Sequence, residues 1–319
     1  MKGMRHILPV VLLALSALSC ASNGNGNGNK KASVTHFPLV QVPTMLDGEQ
    51  RVSYMAGHFW DAFFKDAGAH SSGDTTLVGG IARVEVEQAM ANYITLLEAL
   101  PLQESCALVE KFTDRMTGIE LADTSSSVFE GLSAIFERYI YDPNSPVRDE
   151  DLYTPYARKM SQCSFVDPSK REAYEEDVRL TSLNRRGTKA ADFSFMDRRG
   201  RHYKLYGIEA ERIILFFSNP GCTACKEIIE TLESVPGVDE RIRGGELAVL
   251  NIYIDEDISG WLDYMSIYPD KWYNGYDDTR SIRSDELYNV RAIPSLYMLD
   301  GDKNVLMKDV PVERILNTL

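Results

Sequence analysis

Two cysteines three residues apart carry the reactive potential of this chain, within Asn219-Pro220-Gly221-Cys222-Thr223-Ala224-Cys225-Lys226. The segment follows an apolar run, Ile213-Ile214-Leu215-Phe216-Phe217, that reads as a buried strand. It precedes a helical pattern with Ile228, Ile229 and Leu232 on one face. The pair therefore falls on the first turn of a helix, where unpaired backbone N–H groups and the helix dipole favour negative charge. The thiolate is the reactive form of cysteine, so this placement makes Cys222 a nucleophile and leaves Cys225 close enough to resolve a bond that Cys222 forms. The other chemistry open to such a pair is half of a structural zinc site. That needs a second cysteine or histidine pair at ligand spacing, and the sequence has no other C-x-x-C and no H-x-x-x-H. No metal, nucleotide or flavin cofactor is implied.

The chain around this pair has 319 residues, enough for two domains of about 130 to 150 residues each. Its formal charge of −13 argues against nucleic-acid or anionic-membrane binding, since both need a basic face. Residues 1–20 form a leader. A basic start (Met1-Lys2-Gly3-Met4-Arg5-His6) precedes an apolar core, Ile7 to Leu18, too short to span a bilayer, which is the pattern of a secretory signal. Its end, Ala17-Leu18-Ser19-Cys20, resembles a bacterial lipobox, in which the cysteine is lipidated and becomes the mature N-terminus; Ala17 stands where leucine is usual. Residues 21–40 contain Asn23-Gly24-Asn25-Gly26-Asn27-Gly28-Asn29, a flexible tether of the kind that separates an anchor from a folded domain. Export and anchoring place the protein where disulfides persist.

Residues 41–185 carry helical signals throughout. Val52, Met55, Ala56, Phe59, Trp60 and Phe63 recur at three and four, as do Ile81, Val84, Met90, Tyr93, Ile94, Leu97 and Leu100 before Pro101 breaks the pattern. Further stripes run through Val109, Phe112 and Met116, then Val128 to Tyr139 after the cap candidates Ser125, Ser126 and Ser127, then Leu152, Tyr156 and Met160. Five or six amphipathic helices predict an all-α domain. His58 and His70 have no cysteine or carboxylate partner by spacing, so neither is read as catalytic. Cys106 and Cys163 each fall on an apolar stripe. They are either inert buried thiols or a structural disulfide, and the exported compartment tips the expectation to the disulfide. Closing that loop of 57 residues (163 minus 106) would stabilise the fold by about 4 kcal/mol.

Leu183-Asn184-Arg185-Arg186-Gly187-Thr188-Lys189 is polar, basic and without periodicity, and marks a boundary. From residue 188 to 319 the period changes. Two short strand patterns flank the turn Asp197-Arg198-Arg199-Gly200, the cysteine strand and helix follow, and Leu247 to Ile254 reads as a second buried strand. An aromatic insert then carries Trp261, Tyr264, Tyr268, Trp272, Tyr273 and Tyr276. After it come Ile293-Pro294, at the start of an apolar strand because proline cannot donate to a ladder, a turn at Asp300 to Asn304, and a closing helical stripe.

A hairpin, strand–CxxC–helix, strand, then Ile-Pro before a hairpin is the order of the thioredoxin fold, and residues 188–319 resemble the TlpA/ResA-like membrane-anchored thiol–disulfide oxidoreductases. The fold class expected is thus an α/β thioredoxin-like domain preceded by an all-α domain; the first half is similar to a helical domain of unknown function found on such lipoproteins. The resemblance implies that Pro294 is cis and lies against Cys222 and Cys225, and that Ile293 offers backbone groups to an incoming cysteine-containing chain. It implies cysteine-containing envelope proteins as partners, with a membrane or periplasmic redox donor. Three departures stand out. Gly221 replaces a frequent tryptophan, Thr223-Ala224 lacks a proline, and Phe216 occupies the position where thioredoxins keep a buried acid that assists the second cysteine. Asp255 or Glu256, at the end of the second strand, or water must then take that proton. Two other readings remain open. One is a binding or scaffold lipoprotein with a purely structural CxxC disulfide. The other is a thiol peroxidase, weakened because Leu215 and Asn219 stand where peroxiredoxins have proline and threonine or serine.

Overall fold

The computed structural model describes residues 36–67 and 74–319. The leader, the lipidation expected at Cys20, most of the 21–40 tether and His70 lie outside the described residues. Among those described, the first half builds α1 (Gly48–His58), α2 (Asp61–Ala67), α3 (Arg83–Glu98), α4 (Leu102–Ala122), α5 (Val128–Ile140), α6 (Glu150–Gln162) and α7 (Pro168–Thr181). The stripe expected to run unbroken from Val52 to Phe63 is divided, because the chain turns at Phe59 and Trp60. The turn lets Trp60 become the hub of the core. Its ring centroid lies 5.1–6.1 Å from those of Phe37, Phe59, Phe63, Phe64, Tyr93 and Phe112, distances at which offset and edge-on aromatic pairs attract.

The helical first half also carries one small sheet. A two-stranded ribbon, β1 (Leu77–Val78) with β2 (Ile81–Ala82), precedes α3. Gly79 and Gly80 both take positive φ there, which a two-residue hairpin turn demands. At α5 the hydroxyl that reaches the helix start belongs to Ser126, which accepts from the Val128 N–H at 3.3 Å.

The second half contains β3 (Ser194–Asp197), β4 (His202–Lys204), β5 (Arg212–Phe217), α8 (Thr223–Ser234), α9 (Val238–Gly244), β6 (Leu247–Tyr253), α10 (Ile258–Asp263), β7 (Tyr273–Tyr276), α11 (Ser281–Ser284), β8 (Ser295–Asp300), β9 (Val305–Met307) and α12 (Val312–Leu316). They form a seven-stranded sheet in the order β4-β3-β7-β6-β5-β8-β9. The β5–β6 and β6–β7 pairs are parallel and the rest antiparallel. Strand β5 is apolar on both faces because both are covered. Ile214 and Phe216 join the core beneath α8, while Ile213, Leu215 and Phe217 join the core on the other side.

Strand β7 was hidden in the aromatic insert, since Asn274-Gly275 reads as a turn. The structure uses that glycine for close approach: a Cβ there would collide with the Phe195 ring and lie 3.1 Å from the Met196 carbonyl oxygen. The polar stretch after α7 does not run free either. Arg186 donates through Nε to Asp151 at 2.9 Å, Asn184 donates to the Leu287 carbonyl at 2.7 Å, and the Gly187 N–H reaches the Val305 carbonyl at 2.8 Å. Both halves accordingly belong to one compact unit that runs to Leu319. None of the described helices is long and apolar enough to cross a membrane.

Candidate functional site

Strand β5 delivers the chain to the end of the sheet, and Asn219-Pro220-Gly221 turns it into α8. Cys222 is the N-cap of that helix, and its sulfur accepts the Cys225 backbone N–H at 3.1 Å. One helical turn brings the two Cα atoms to 5.2 Å, and the sulfurs are bonded to each other. The two are not equivalent. Cys222 is half-buried, whereas Cys225 is 2% exposed. Cys225 packs into the cluster that holds Phe216, Ile229 and Leu296. Phe217 faces the opposite core, because successive side chains of a strand alternate. Lys226, the residue after Cys225, points at Glu230 one turn along, 3.6 Å away and exposed. What favours a thiolate at Cys222 is therefore the helix start itself.

Pro294 enters the same neighbourhood through the sheet. Its bond to Ile293 is cis, and Ser295, the next residue, lies opposite Phe217 in the β5–β8 ladder. Ile293 packs partly against both cores, and both it and Pro294 remain half-buried.

Among the described residues, neither carboxylate expected to stand in for the acid absent at Phe216 is turned to the cysteine pair. Phe216 is fully buried. Of the two carboxylates expected to serve, Asp255 meets the cysteine loop only at its start, accepting from Asn219 Nδ2 at 2.6 Å while paired with Arg283 at 2.6 Å. Glu256 is exposed and turned to Arg280 at 2.7 Å. The sheet instead carries a buried polar row that sequence reasoning missed. Asn251 stands between Phe216 on β5 and Asn274 on β7, and its amide donates to Asn274 Oδ1 at 3.0 Å while its oxygen pairs with the Ser218 hydroxyl. The Tyr268 phenol lies in the Cys225 cluster, and burial pushes it up to about 12, so it stays protonated at neutral pH. A lone asparagine in the apolar run Leu247 to Ile254 was the available signal.

Cys106 and Cys163 do not form the expected disulfide; both are free thiols. The reason is the length of α6. Cys106 directs its sulfur to the Asp151 carbonyl, 3.5 Å away in the first turn of that helix, whereas Cys163 is its C-cap. Twelve residues of helix separate Asp151 from Cys163 (163 minus 151), about 18 Å at 1.5 Å per residue, against the roughly 7 Å limit between bridged Cα atoms. Burial pushes both thiols up. His58, read as lacking a carboxylate partner, has one: Asp61 sits 2.7 Å from its Nδ1. Among the described residues no cluster of three or more histidine, cysteine or acidic side chains is arranged to hold a metal ion.

A sheet of this order, with a cysteine pair opening the helix after its central strand and a cis-proline entering the adjacent one, defines a thioredoxin-like protein. The chain belongs to the family described as Domain of unknown function (DUF5106), which matches residues 19–184. It is similar over nearly its whole length to a thioredoxin-like protein from Bacteroides caccae, with 32% identity, 90% of this chain and 98% of that one covered, and a TM-score of 0.74. It is also similar to the C-terminal domain of an uncharacterized protein from Bacteroides fragilis, at 40% identity over 43% of this chain and 97% of that one (TM-score 0.41). The thioredoxin domain of a thiol-disulfide oxidoreductase from Bacteroides vulgatus matches at 16% identity over 42% and 94% (TM-score 0.38). No curated protein matches the chain.

Proposed function

We propose that this protein is a lipid-anchored, extracytoplasmic thiol–disulfide oxidoreductase of the TlpA/ResA-like kind, acting on protein disulfides through Cys222 and Cys225. The observation that carries this reading is the asymmetry of the pair: a half-exposed sulfur at a helix N-cap, bonded to a buried one beneath it. In the reduced form the Cys222 thiolate attacks one sulfur of a substrate disulfide and expels the other as a thiolate. Cys225 then loses its proton, attacks the sulfur of Cys222 and releases the second substrate thiolate. Two electrons have passed to the substrate, whose two thiolates take up the proton released by Cys225 and one from solvent, and the Cys222–Cys225 disulfide remains. A dithiol donor in the membrane or periplasm returns the pair to the reduced state; run backwards, the same steps oxidise a substrate. Ile293 and Pro294 form the surface on which the substrate chain lies during the exchange.

Anchoring rests on the leader and on Cys20, followed by the Asn/Gly tether. Metabolic labelling with palmitate should mark the wild-type chain and not Cys20→Ala. For the redox role, Cys225→Ser expressed in cells should accumulate mixed disulfides through Cys222, and Cys222→Ser should accumulate few. Equal trapping by both variants overturns the assignment of the nucleophile.

A further inference from the structure

The segment that carries Pro294 has little backbone support. Among the described residues no turn or loop backbone hydrogen bond involves residues 291–294. Side chains hold it instead, and several come from the other half of the molecule. Glu150, in the first turn of α6, has a side chain only 1% exposed. Its Oε1 accepts from Asn289 Nδ2 at 2.7 Å and from Arg291 Nε at 2.9 Å. Its Oε2 pairs at 2.9 Å with Lys308, whose ammonium also donates to the carbonyls of Thr181 and Leu183 at 2.7 and 2.6 Å. The Arg291 guanidinium lies 3.9 Å over the Tyr141 ring and donates to the Tyr141 carbonyl. On the far side of the proline, the Ser295 hydroxyl donates to Asp309 at 2.8 Å, and Arg148 Nε reaches the same carboxylate at 3.3 Å.

We infer that the helical half is a positioning element for the substrate-docking loop: Glu150, through Asn289 and Arg291, and Arg148, through Asp309 and Ser295, hold Ile293–Pro294 in place beside the cysteine pair. This deepens the proposed oxidoreductase reading and rests on it for its kinetic consequence. A buried carboxylate with three directional partners fixes a loop more tightly than apolar contact does, because a charge left unpaired in the interior is strongly disfavoured. The loop is thus ordered by a hydrogen bond and an ion pair to Glu150 that span 139 and 141 residues of sequence. An oxidoreductase whose docking surface depends on a second domain should lose protein substrates when that grip loosens, yet keep the chemistry of its dithiol.

The full chain is tested with insulin as a protein disulfide and dithiobis(nitrobenzoic acid) as a small one that needs no extended docking surface. Glu150→Gln and, independently, Arg148→Gln should raise the KM for insulin by roughly tenfold, less than the hundredfold that a misplacement of about 1 Å can cost. The rate with the small disulfide and the potential of the cysteine pair should stay at wild-type values. Glu98→Gln is the control. It removes the 2.9 Å pair between Glu98 and Arg314, which also joins the halves but does not touch the loop, and should leave the KM unchanged. Hydrogen exchange across residues 291–296 should accelerate in the two loop variants and not in the control. An unchanged KM and exchange rate in both loop variants, or an equal rise in Glu98→Gln, overturns the inference. Wild-type protein that turns over neither disulfide overturns the oxidoreductase reading instead, and the exchange data then still decide whether the helical half orders the loop. Should Glu150→Gln fail to fold, Arg148→Gln decides alone.

Discussion

The two pairs of cysteines in the folded chain, Cys222 with Cys225 and Cys106 with Cys163, occupy similar surroundings and have opposite fates. All four lie at the apolar faces or ends of helices and pack against a core. The first pair shares one helical turn, so its Cα atoms stand 5.2 Å apart, with one sulfur outward and the other inward. The second pair is separated by the length of α6 and stays as two thiols. A shared apolar environment therefore does not make a disulfide; backbone spacing does. Burial also acts in opposite senses on the two pairs. In the first it creates the asymmetry between a half-exposed sulfur and a buried one, on which the proposed attacking and resolving roles rest. In the second it holds both thiols protonated, the inert state of cysteine.

The largest effect that would sharpen this contrast is catalytic. Cys222→Ser should lower disulfide turnover by several orders of magnitude, as removal of a nucleophile does. Cys106→Ala and Cys163→Ala should leave turnover within about twofold of wild type, the range of substitutions remote from the chemistry. Insulin reduction by the three purified variants decides the matter, and a large loss in Cys106→Ala would break the comparison.

A smaller effect concerns stability, measured by urea unfolding with every thiol reduced so that no cross-link contributes. Cys225→Ser places a hydroxyl in the apolar cluster under α8 and should cost about 1–3 kcal/mol. Cys163→Ser, at a half-buried helix cap, should cost less than about 1 kcal/mol. Equal costs would mean that the two pairs are not distinguished by burial.

Much of the first pair was legible because its logic is local. An apolar strand, a proline–glycine turn and a helical stripe within twenty residues place Cys222 at a helix start, and Asp197 to Gly200 mark the β3–β4 turn. The second pair was misread because its separation depends on where α4 packs along α6, a contact between residues 45 apart. The same holds for β7, whose Asn-Gly centre imitates a turn until Phe195 is laid beside it. It holds for Asn251 as well, whose partners come from neighbouring strands. Glu150 carries no periodic or motif signal of its own, and its partners lie about 140 residues away, at Asn289 and Arg291. Periodicity reports which face a residue occupies and is silent on which distant segment will cover that face.

The smallest predicted effect is the most specific to the second pair. Burial is the main cause that pushes the Cys106 thiol up; Asp151 and Asp149 add to it, and Arg185 and Arg186 oppose it. In the unfolded chain the thiol titrates near about 8.5. A group raised in the folded state is more easily deprotonated when unfolded. Its contribution to stability is therefore fully present below the unfolded value and is lost as pH rises through the folded one. Wild type should consequently lose stability relative to Cys106→Ala as pH is raised from 8 to 10, with no difference in slope between pH 6 and 7.5. Alkylation by iodoacetamide should show the same gap, with Cys106 reacting more slowly in the native chain than in urea at every pH up to the folded value. Replacing Arg186 with glutamine removes one cation that opposes the shift and should widen the gap. Native and denatured rates that coincide at pH 9 would show that Cys106 is not held as a protonated thiol, and burial would no longer separate the inert pair from the reactive one.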